Sequence, residues 1–115
     1  MSLDFSLYRN GKWDDGETFT TAVFDTNITH NLNDLADAVG IYNALWRPEE
    51  NNFIYAKDII PVVDKGLKEL KDNPEKYKKY DSPNGWGVYK DFVPWVEELL
   101  KACKEHPNSK IETNR

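Results

Sequence analysis

The sequence predicts an α+β fold, a small antiparallel β-sheet with helices packed on one of its faces. In the first quarter of the chain, apolar and polar residues alternate with the period of a strand. From Asn31 onward, the apolar residues recur at helical spacing instead. The chain has 115 residues, of which 39% are hydrophobic and 30% charged. That size and composition predict a single globular domain spanning residues 1–115.

The strand signals lie near the amino terminus. The segment "LDFSLY" at residues 3–8 alternates apolar and polar side chains, and Asn10-Gly11 behind it is a strong hairpin-turn signal. Asp15-Gly16 predicts a second turn. "TFTTAVF" at residues 18–24 is rich in β-branched and aromatic residues, which favours a strand. These signals together predict an N-terminal antiparallel meander.

The first predicted helix follows the meander directly. Asn31 is suited to cap it, and Asp34 would lie in its first turn, where the helix dipole favours a negative charge. Arg47-Pro48 ends it, because a residue before proline avoids the helical conformation. Six apolar residues would share its buried face: Leu32, Leu35, Ala36, Val39, Tyr42 and Trp46.

Two later segments resemble each other and predict two further main helices. "DIIPVVDKGLKEL" begins at Asp58 and "DFVPWVEELLKAC" at Asp91, and each reads Asp-x-x-Pro followed by an apolar stripe. Each helix could begin at its aspartate, or a turn earlier with a kink at the proline. Asn73-Pro74 predicts a short helix through about residue 80. "SKIET" at residues 109–113 is compatible with a strand that returns to the sheet.

Charge and cysteine content exclude several classes of protein. The formal net charge of −5 disfavours binding to a nucleic-acid backbone, and the lysines between Lys65 and Lys79 alternate with acidic residues. Cys103 is the only cysteine, which excludes an intrachain disulfide and a thiolate metal cluster. We see no signal peptide and no stretch long enough to span a membrane. The sequence therefore predicts a protein of the cytosol.

Catalytic and metal-binding patterns are weak. His30, Asp34 and Asp37 would share a helix face if the helix began slightly early, but acidic residues in a first turn also serve the helix dipole. Cys103 lies near His106, yet it belongs to an apolar stripe in which a buried thiol is ordinary. The chain has no phosphate-loop or dinucleotide pattern. We therefore expect no catalytic residue, no metal and no cofactor.

Two polar stretches are the better candidates for binding. "NITHNL" at residues 27–32 could cap backbone groups locally, or could present amides and an imidazole to a polar ligand. In "NGWG" at residues 84–87, the tryptophan could anchor a loop or serve as a stacking platform. Aromatic rings, an arginine and amides together suit a flat anionic ligand or a protein partner. The predicted ligand-binding residues are Asn27, Thr29, His30, Asn31, Tyr42, Trp46, Arg47, Asn84, Trp86 and Tyr89.

These blocks also carry a resemblance. "NITHNLNDLADAVGIYNALWRPEE" followed by "NGWGVYKDFVPWVEELLKAC" resembles a family of small proteins encoded by bacteriophages and prophages. The resemblance runs from about Asn27 to Arg115, whereas the N-terminal hairpin is less alike. It implies a phage accessory role in the cytosol of an infected bacterium. It supplies no catalytic residues.

The sequence and the resemblance together lead to a functional hypothesis. We expect a non-catalytic binder that counters host defence by sequestering a nucleotide-like signalling molecule. A binder or inhibitor of a host protein is the first alternative, and a small enzyme acting on a nucleotide or sugar is the second. A homodimer is also expected, because a small sheet leaves strand edges to be covered.

Overall fold

The computed structural model describes residues 2–81, 85 and 87–115 of the chain. These residues form three strands and five α-helices. In chain order they are β1 (Ser2–Lys12), β2 (Thr18–Thr29), α1 (Asn33–Ala38), α2 (Tyr42–Trp46), α3 (Ala56–Asp72), α4 (Pro74–Lys78), α5 (Tyr89–Glu105) and β3 (Lys110–Asn114). Single turns of 3₁₀ helix at His30–Leu32 and Pro48–Asn51 precede and follow the α1–α2 region.

The three strands form one antiparallel sheet in the order β2-β1-β3. Strand β1 pairs with β2 along its whole length, but with β3 only from Asp4 to Tyr8. Leu3, Phe5 and Leu7 alternate on the side of β1 that faces the helices, and all three are fully buried. The predicted α+β class, with the returning C-terminal strand, is confirmed.

The core lies between this face of the sheet and the helices. Helices α3 and α5 pack against each other and place Ile59, Val63, Phe92 and Val96 in the same buried cluster as β1. A stripe of apolar residues on each helix meets the apolar face of the sheet, which is the usual origin of such a two-layer core. Among the described residues, no helix is long and apolar enough to cross a membrane.

The predicted hairpin turn at Asn10-Gly11 is wrong. Strand β1 continues through these residues, with Asn10 paired to Thr20 and Gly11 to Phe19. The ring of Phe19 lies so close over Gly11 that a Cβ on this glycine would overlap it. The chain turns later, where the amide of Gly16 donates to the carbonyl of Trp13 at 3.0 Å. An aromatic residue that covers a glycine across the strand pair stabilises extended pairing there.

The hairpin extends well beyond the rest of the sheet. Leu7 pairs with Phe24 and Tyr8 with Ala22, so Val23 is an extra residue that forms a β-bulge in β2. Beyond Tyr8, β1 pairs with no described strand other than β2, and no residue from 9 to 21 is buried. We call residues 9–21 the hairpin arm. The molecule is accordingly elongated, with principal extents of 55 × 27 × 24 Å.

The predicted first helix, starting at Asn31 and ending before Pro48, is interrupted. Its N-cap is Thr29 rather than Asn31, and a 3₁₀ turn leads into α1. Helix α1 ends at Ala38 because Gly40 adopts a left-handed conformation with φ of +83°, and α2 starts after it. The predicted end of this helical region before Pro48 is confirmed, because α2 ends at Trp46.

The two similar helices each begin two residues before the predicted aspartate. Helix α3 starts at Ala56 and α5 at Tyr89, with Pro61 and Pro94 inside them. Asp58 is not the N-cap, because its carboxylate accepts hydrogen bonds from the amides of Ile54 and Tyr55 at 3.1 and 2.9 Å. These bonds, the one from Tyr55 above all, lower the pKa of Asp58. Its side chain therefore closes a capping box.

Helix α3 packs closely against the break between α1 and α2, and Gly66 is the residue that permits it. A Cβ on Gly66 would overlap the Cγ2 atom of Ile41 and lie 3.1 Å from the carbonyl oxygen of Val39. Gly66 and Ile41 are both buried. The approach of the two segments therefore depends on the missing side chain.

We expect Gly66→Ala to destabilise the protein by about 1–3 kcal/mol, because it overpacks this contact. In an unhindered helix the same change stabilises by about 0.5–1 kcal/mol, so the sign of the effect is diagnostic. Urea unfolding followed by circular dichroism would measure the difference. The exposed neighbour substitution Lys65→Ala is the control, and a stabilised Gly66→Ala protein would contradict the packing described here.

Candidate functional site

The stretch 27–32 is a strand-to-helix junction at the end of β2. Thr29 is the last residue of the strand, and its hydroxyl accepts a hydrogen bond from the amide of Asn31 at 3.3 Å. Leu32 is buried below it, whereas Asn31 is exposed. The junction is thus capped by its own side chain, which is the ordinary role of threonine at this position.

His30 faces Trp46 across this junction. The indole nitrogen of Trp46 donates to Nδ1 of His30 at 2.9 Å, so Nδ1 carries no proton and the neutral ring is protonated at Nε2. Tyr42 stacks on Trp46 with ring centroids 5.6 Å apart and planes 12° apart. Trp46 is only 2% exposed. The tryptophan therefore ties the junction to α2 and offers almost no surface to a ligand.

Arg47, next along the chain, is held by its neighbours. Its guanidinium donates to Glu50 at 2.8 Å, and hydrogen bonds to Tyr42 and then to Glu50 raise its pKa above the ordinary arginine value. A second arginine, Arg115, donates to the carbonyl oxygen of Trp46 at 2.6 Å and pairs with Glu49. Both cations at this end of α2 are thus paired with a carboxylate.

The second predicted stretch meets the first at Gly87. A Cβ on Gly87 would lie 3.0 Å from Asn31 and 3.1 Å from Thr29, and the residue has φ of +90°. Only glycine adopts this conformation readily, and only glycine fits so close to the junction. Asn84 and Trp86, two of the predicted site residues, lie outside the described residues.

The remaining two predicted residues lie elsewhere. The hydroxyl of Tyr89 donates to the carbonyl of Leu70 at 2.5 Å, which fastens the start of α5 to the end of α3. Asn27 pairs with Asp4 on β1, on the side of the sheet away from the helices. The structure therefore brings Thr29, His30, Asn31, Tyr42, Trp46 and Arg47 into one region, and separates Asn27 and Tyr89 from it. The role of all these residues in ligand binding stays a prediction.

A shallow depression adjoins this region. It has a volume of about 250 Å³ and is lined by Asn33, Asp34, Asp37 and Tyr42. The two carboxylates give it a negative character. His30 is not on one helix face with Asp34 and Asp37, because it lies in the preceding 3₁₀ turn and its Nδ1 atom is bonded to Trp46. Within the described ranges, no three His, Cys, Asp or Glu residues are placed to hold a metal ion.

Cys103 has the environment of a structural thiol. It is fully buried on α5, and burial raises the pKa of this thiol to about 12. A nucleophilic cysteine needs the opposite shift, toward the thiolate. Cys103 is therefore protonated at neutral pH and belongs to the core.

A larger depression lies where the sequence indicated only one site residue, Asn27. It has a volume of about 700 Å³ and covers the side of the sheet away from the helices. Two rows of polar side chains cross the three strands there. Asn27, Asp4 and Asn114 form one row, and Asp25, Ser6 and Glu112 form the other. We call these six residues together with Tyr8 the outer sheet face.

The outer sheet face is acidic. Asp4, Asp25 and Glu112 are all exposed. In the part of the chain that the structure describes, no basic residue lines the depression, although Lys110 lies in the next row opposite Tyr8. The hydroxyl of Ser6 donates to Asp25 at 2.8 Å, which orients that carboxylate. The alternation of "LDFSLY" already put Asp4, Ser6 and Tyr8 on one side. What the sequence could not show was that β3 pairs beside β1 and adds Glu112 and Asn114.

Comparison with known protein families, with curated proteins and with solved structures finds no match for this chain.

We expect His30→Ala to destabilise the protein by about 1–3 kcal/mol, because it leaves the indole N–H of Trp46 buried without its acceptor. His30→Asn is the matched variant, since its side-chain oxygen can accept the same hydrogen bond. Denaturant unfolding of both variants and the parent would measure the effect. Equal losses in the two variants would show that the imidazole ring, and not the hydrogen bond, is what matters.

Proposed function

We propose that this protein is a non-catalytic binder whose partner is a protein with a basic surface, bound at the outer sheet face. The single observation that carries the proposal is the chemistry of that face. Its depression is lined by three carboxylates, amides and hydroxyls, and by no basic side chain among the described residues. Such a surface is complementary to lysine and arginine side chains, and it repels phosphates and other anions.

The position of the face suits a macromolecule. Its carboxylates are exposed on three neighbouring strands, so several of them can be reached at once by one extended or folded partner. Exposed charges add little affinity individually, but together they steer a partner of opposite charge and reject one of like charge. The formal net charge of −5 acts in the same direction.

Two groups suited to chemistry, His30 and Cys103, are engaged in structure, which favours binding over catalysis by these residues. The lone pair of His30 Nδ1 accepts from Trp46, and the thiol of Cys103 is held protonated in the core. A general base needs a free lone pair, and a cysteine nucleophile needs a deprotonated thiol. The resemblance to phage-encoded proteins implies the setting, the cytosol of an infected bacterium, in which binding a host defence protein would be an accessory role.

We expect a fluorescently labelled peptide rich in lysine and arginine to bind the protein, and a glutamate-rich peptide of equal length not to bind. Replacing the carboxylates together (Asp4→Asn, Asp25→Asn, Glu112→Gln) should weaken binding about tenfold at low salt. Raising the ionic strength should weaken binding of the parent protein, because exposed charges are screened. Fluorescence anisotropy titrations would measure these effects.

The matched control removes three carboxylates from the helices instead (Asp64→Asn, Asp72→Asn, Glu98→Gln), all exposed. It changes the net charge equally and leaves the outer sheet face intact. If both triple variants lose the same affinity, the peptide responds to overall charge and the proposed site is wrong. Failure of the basic peptide to bind the parent protein would also exclude the proposal.

A nucleotide-like ligand at the strand-to-helix junction is the second candidate, and one observation favours it. Gly87 brings the "NGWG" stretch against Thr29 and Asn31, so the two stretches with binding character meet. Sequestration of a host signalling nucleotide would take place there. Arg47 would have to exchange its bond to Glu50 for the ligand.

For this candidate we expect one class among linear nucleotides, cyclic nucleotides and ADP-ribose to raise the melting temperature. At a hundredfold excess over Kd the stabilisation is about 2.7 kcal/mol, which corresponds to several degrees in a domain of this size. Arg47→Gln should reduce the shift, whereas Arg9→Gln in the hairpin arm should not. A thermal-shift panel without any response would remove this candidate and leave the protein partner.

A further inference from the structure

Strand β2 is an edge strand that has a β-bulge at Val23 but no charged residue between Thr18 and Phe24. Within the described part of the chain, no strand pairs with its outer edge. The seven residues "TFTTAVF" at Thr18–Phe24 contain no charge and no proline, and most are β-branched or aromatic. Natural edge strands normally carry lysine, proline or inward charges that prevent pairing with another chain. An edge of this composition is a template for another strand.

The hairpin arm also lacks a second layer. It consists of two strands beyond the end of β3, and a two-stranded hairpin is marginally stable in water. Trp13 at its tip is 61% exposed and packs on Phe19, with ring centroids 4.6 Å apart. The two rings lie on the same side of the sheet as the helices, but in the hairpin arm, where no described helix covers them. Trp13 and Phe19 therefore leave apolar surface at the tip that is available to a partner.

We propose that β2 pairs antiparallel with β2 of a second copy of this chain, about a twofold axis at Thr20. The regular part of the arm strand runs from Thr18 to Ala22, between the turn and the bulge at Val23. With Thr20 opposite itself, Phe19 faces Thr21 and Thr18 faces Ala22 of the second copy. All five residues of each strand then find a partner.

The charges at the two ends of the segment select this register. Directly opposed residues in an antiparallel pair share a face, so a symmetric pairing is centred on one residue. Centring on Thr21 would oppose Glu17 to Asp25 of the second copy, and like charges in that position are destabilising. Centring on Thr20 opposes Glu17 to Val23 instead. The helices of both copies then lie on the same side of a six-stranded sheet.

The same pairing covers the exposed aromatic residues. The tip of one arm comes to lie beside the base of the other, so Trp13 and Phe19 approach Val23 and Phe24 of the second copy. Val23 and Phe24 are half-buried residues at the margin of the core, on the helix-facing side. An apolar tip thus meets an apolar base twice, as a twofold interface requires.

Cysteine cross-linking tests the register. We expect Thr20→Cys to form an intermolecular disulfide on mild oxidation, because the two Cβ atoms on the axis lie about 4.5–5.5 Å apart. Thr18→Cys should not, since it faces Ala22 of the second copy. Cys103 is buried and gives no background. Cross-linking of Thr18→Cys to the same extent as Thr20→Cys, or of neither, would overturn the proposed axis.

Light scattering after size exclusion tests the association itself. We expect a mass twice the monomer value of 13.4 kDa, and a dissociation constant raised roughly fivefold or more by Thr20→Lys, which places two like charges on the axis. Thr20 is exposed, and circular dichroism will verify that the variant folds. Asn108→Lys, an exposed site away from the arm, is the control. A monomer at every concentration, or a dimer equally sensitive to both lysine variants, would overturn the proposal.

Discussion

Burial of Leu3, Phe5 and Leu7 is the constraint on which the remaining structure depends. Because side chains alternate along a strand, fixing these three residues against the helices also fixes Asp4, Ser6 and Tyr8 on the opposite side. A slip of one residue in the pairing would exchange the two sets and place a carboxylate in the core. The acidic character of the outer sheet face is therefore a direct consequence of core packing, and the core holds its rows in register.

A second set of constraints acts where the helices meet, and it is made of close contacts. Gly40 turns the chain between α1 and α2, Gly66 lets α3 approach that turn, and Gly87 lies directly against Thr29. Each position allows a backbone conformation or a distance that a side chain would prevent. The hydrogen bond from Trp46 to His30 then joins α2 to the end of β2. The junction is consequently held by close contacts, and its polar residues Thr29 and His30 take part in them.

The sequence was sufficient for what depends on local periodicity. The alternation of "LDFSLY" identified a strand with the correct buried side, and the Asp-x-x-Pro stripes identified α3 and α5 to within two residues. It failed where a distant residue decides the local conformation. Asn10-Gly11 has the composition of a turn, yet Phe19 packs across Gly11 and keeps the strand extended. Apart from Asn27, the outer sheet face was missed for a similar reason, because Glu112 comes beside Asp25 only through its pairing with Ser6, near the opposite end of the sequence.

That long-range pairing has a consequence for how the chain folds. Strand β1 is synthesised before helices α1 to α5 and β3 after them, so the sheet cannot be completed until these helices have been made. Contacts between such distant residues close slowly, because a large loop must be ordered before they form. In the meantime the edge of β1 that β3 later covers, and the apolar side of β1, are open to other nascent chains. We therefore regard the interval between synthesis of β2 and arrival of β3 as the stage at which this protein most needs protection from aggregation.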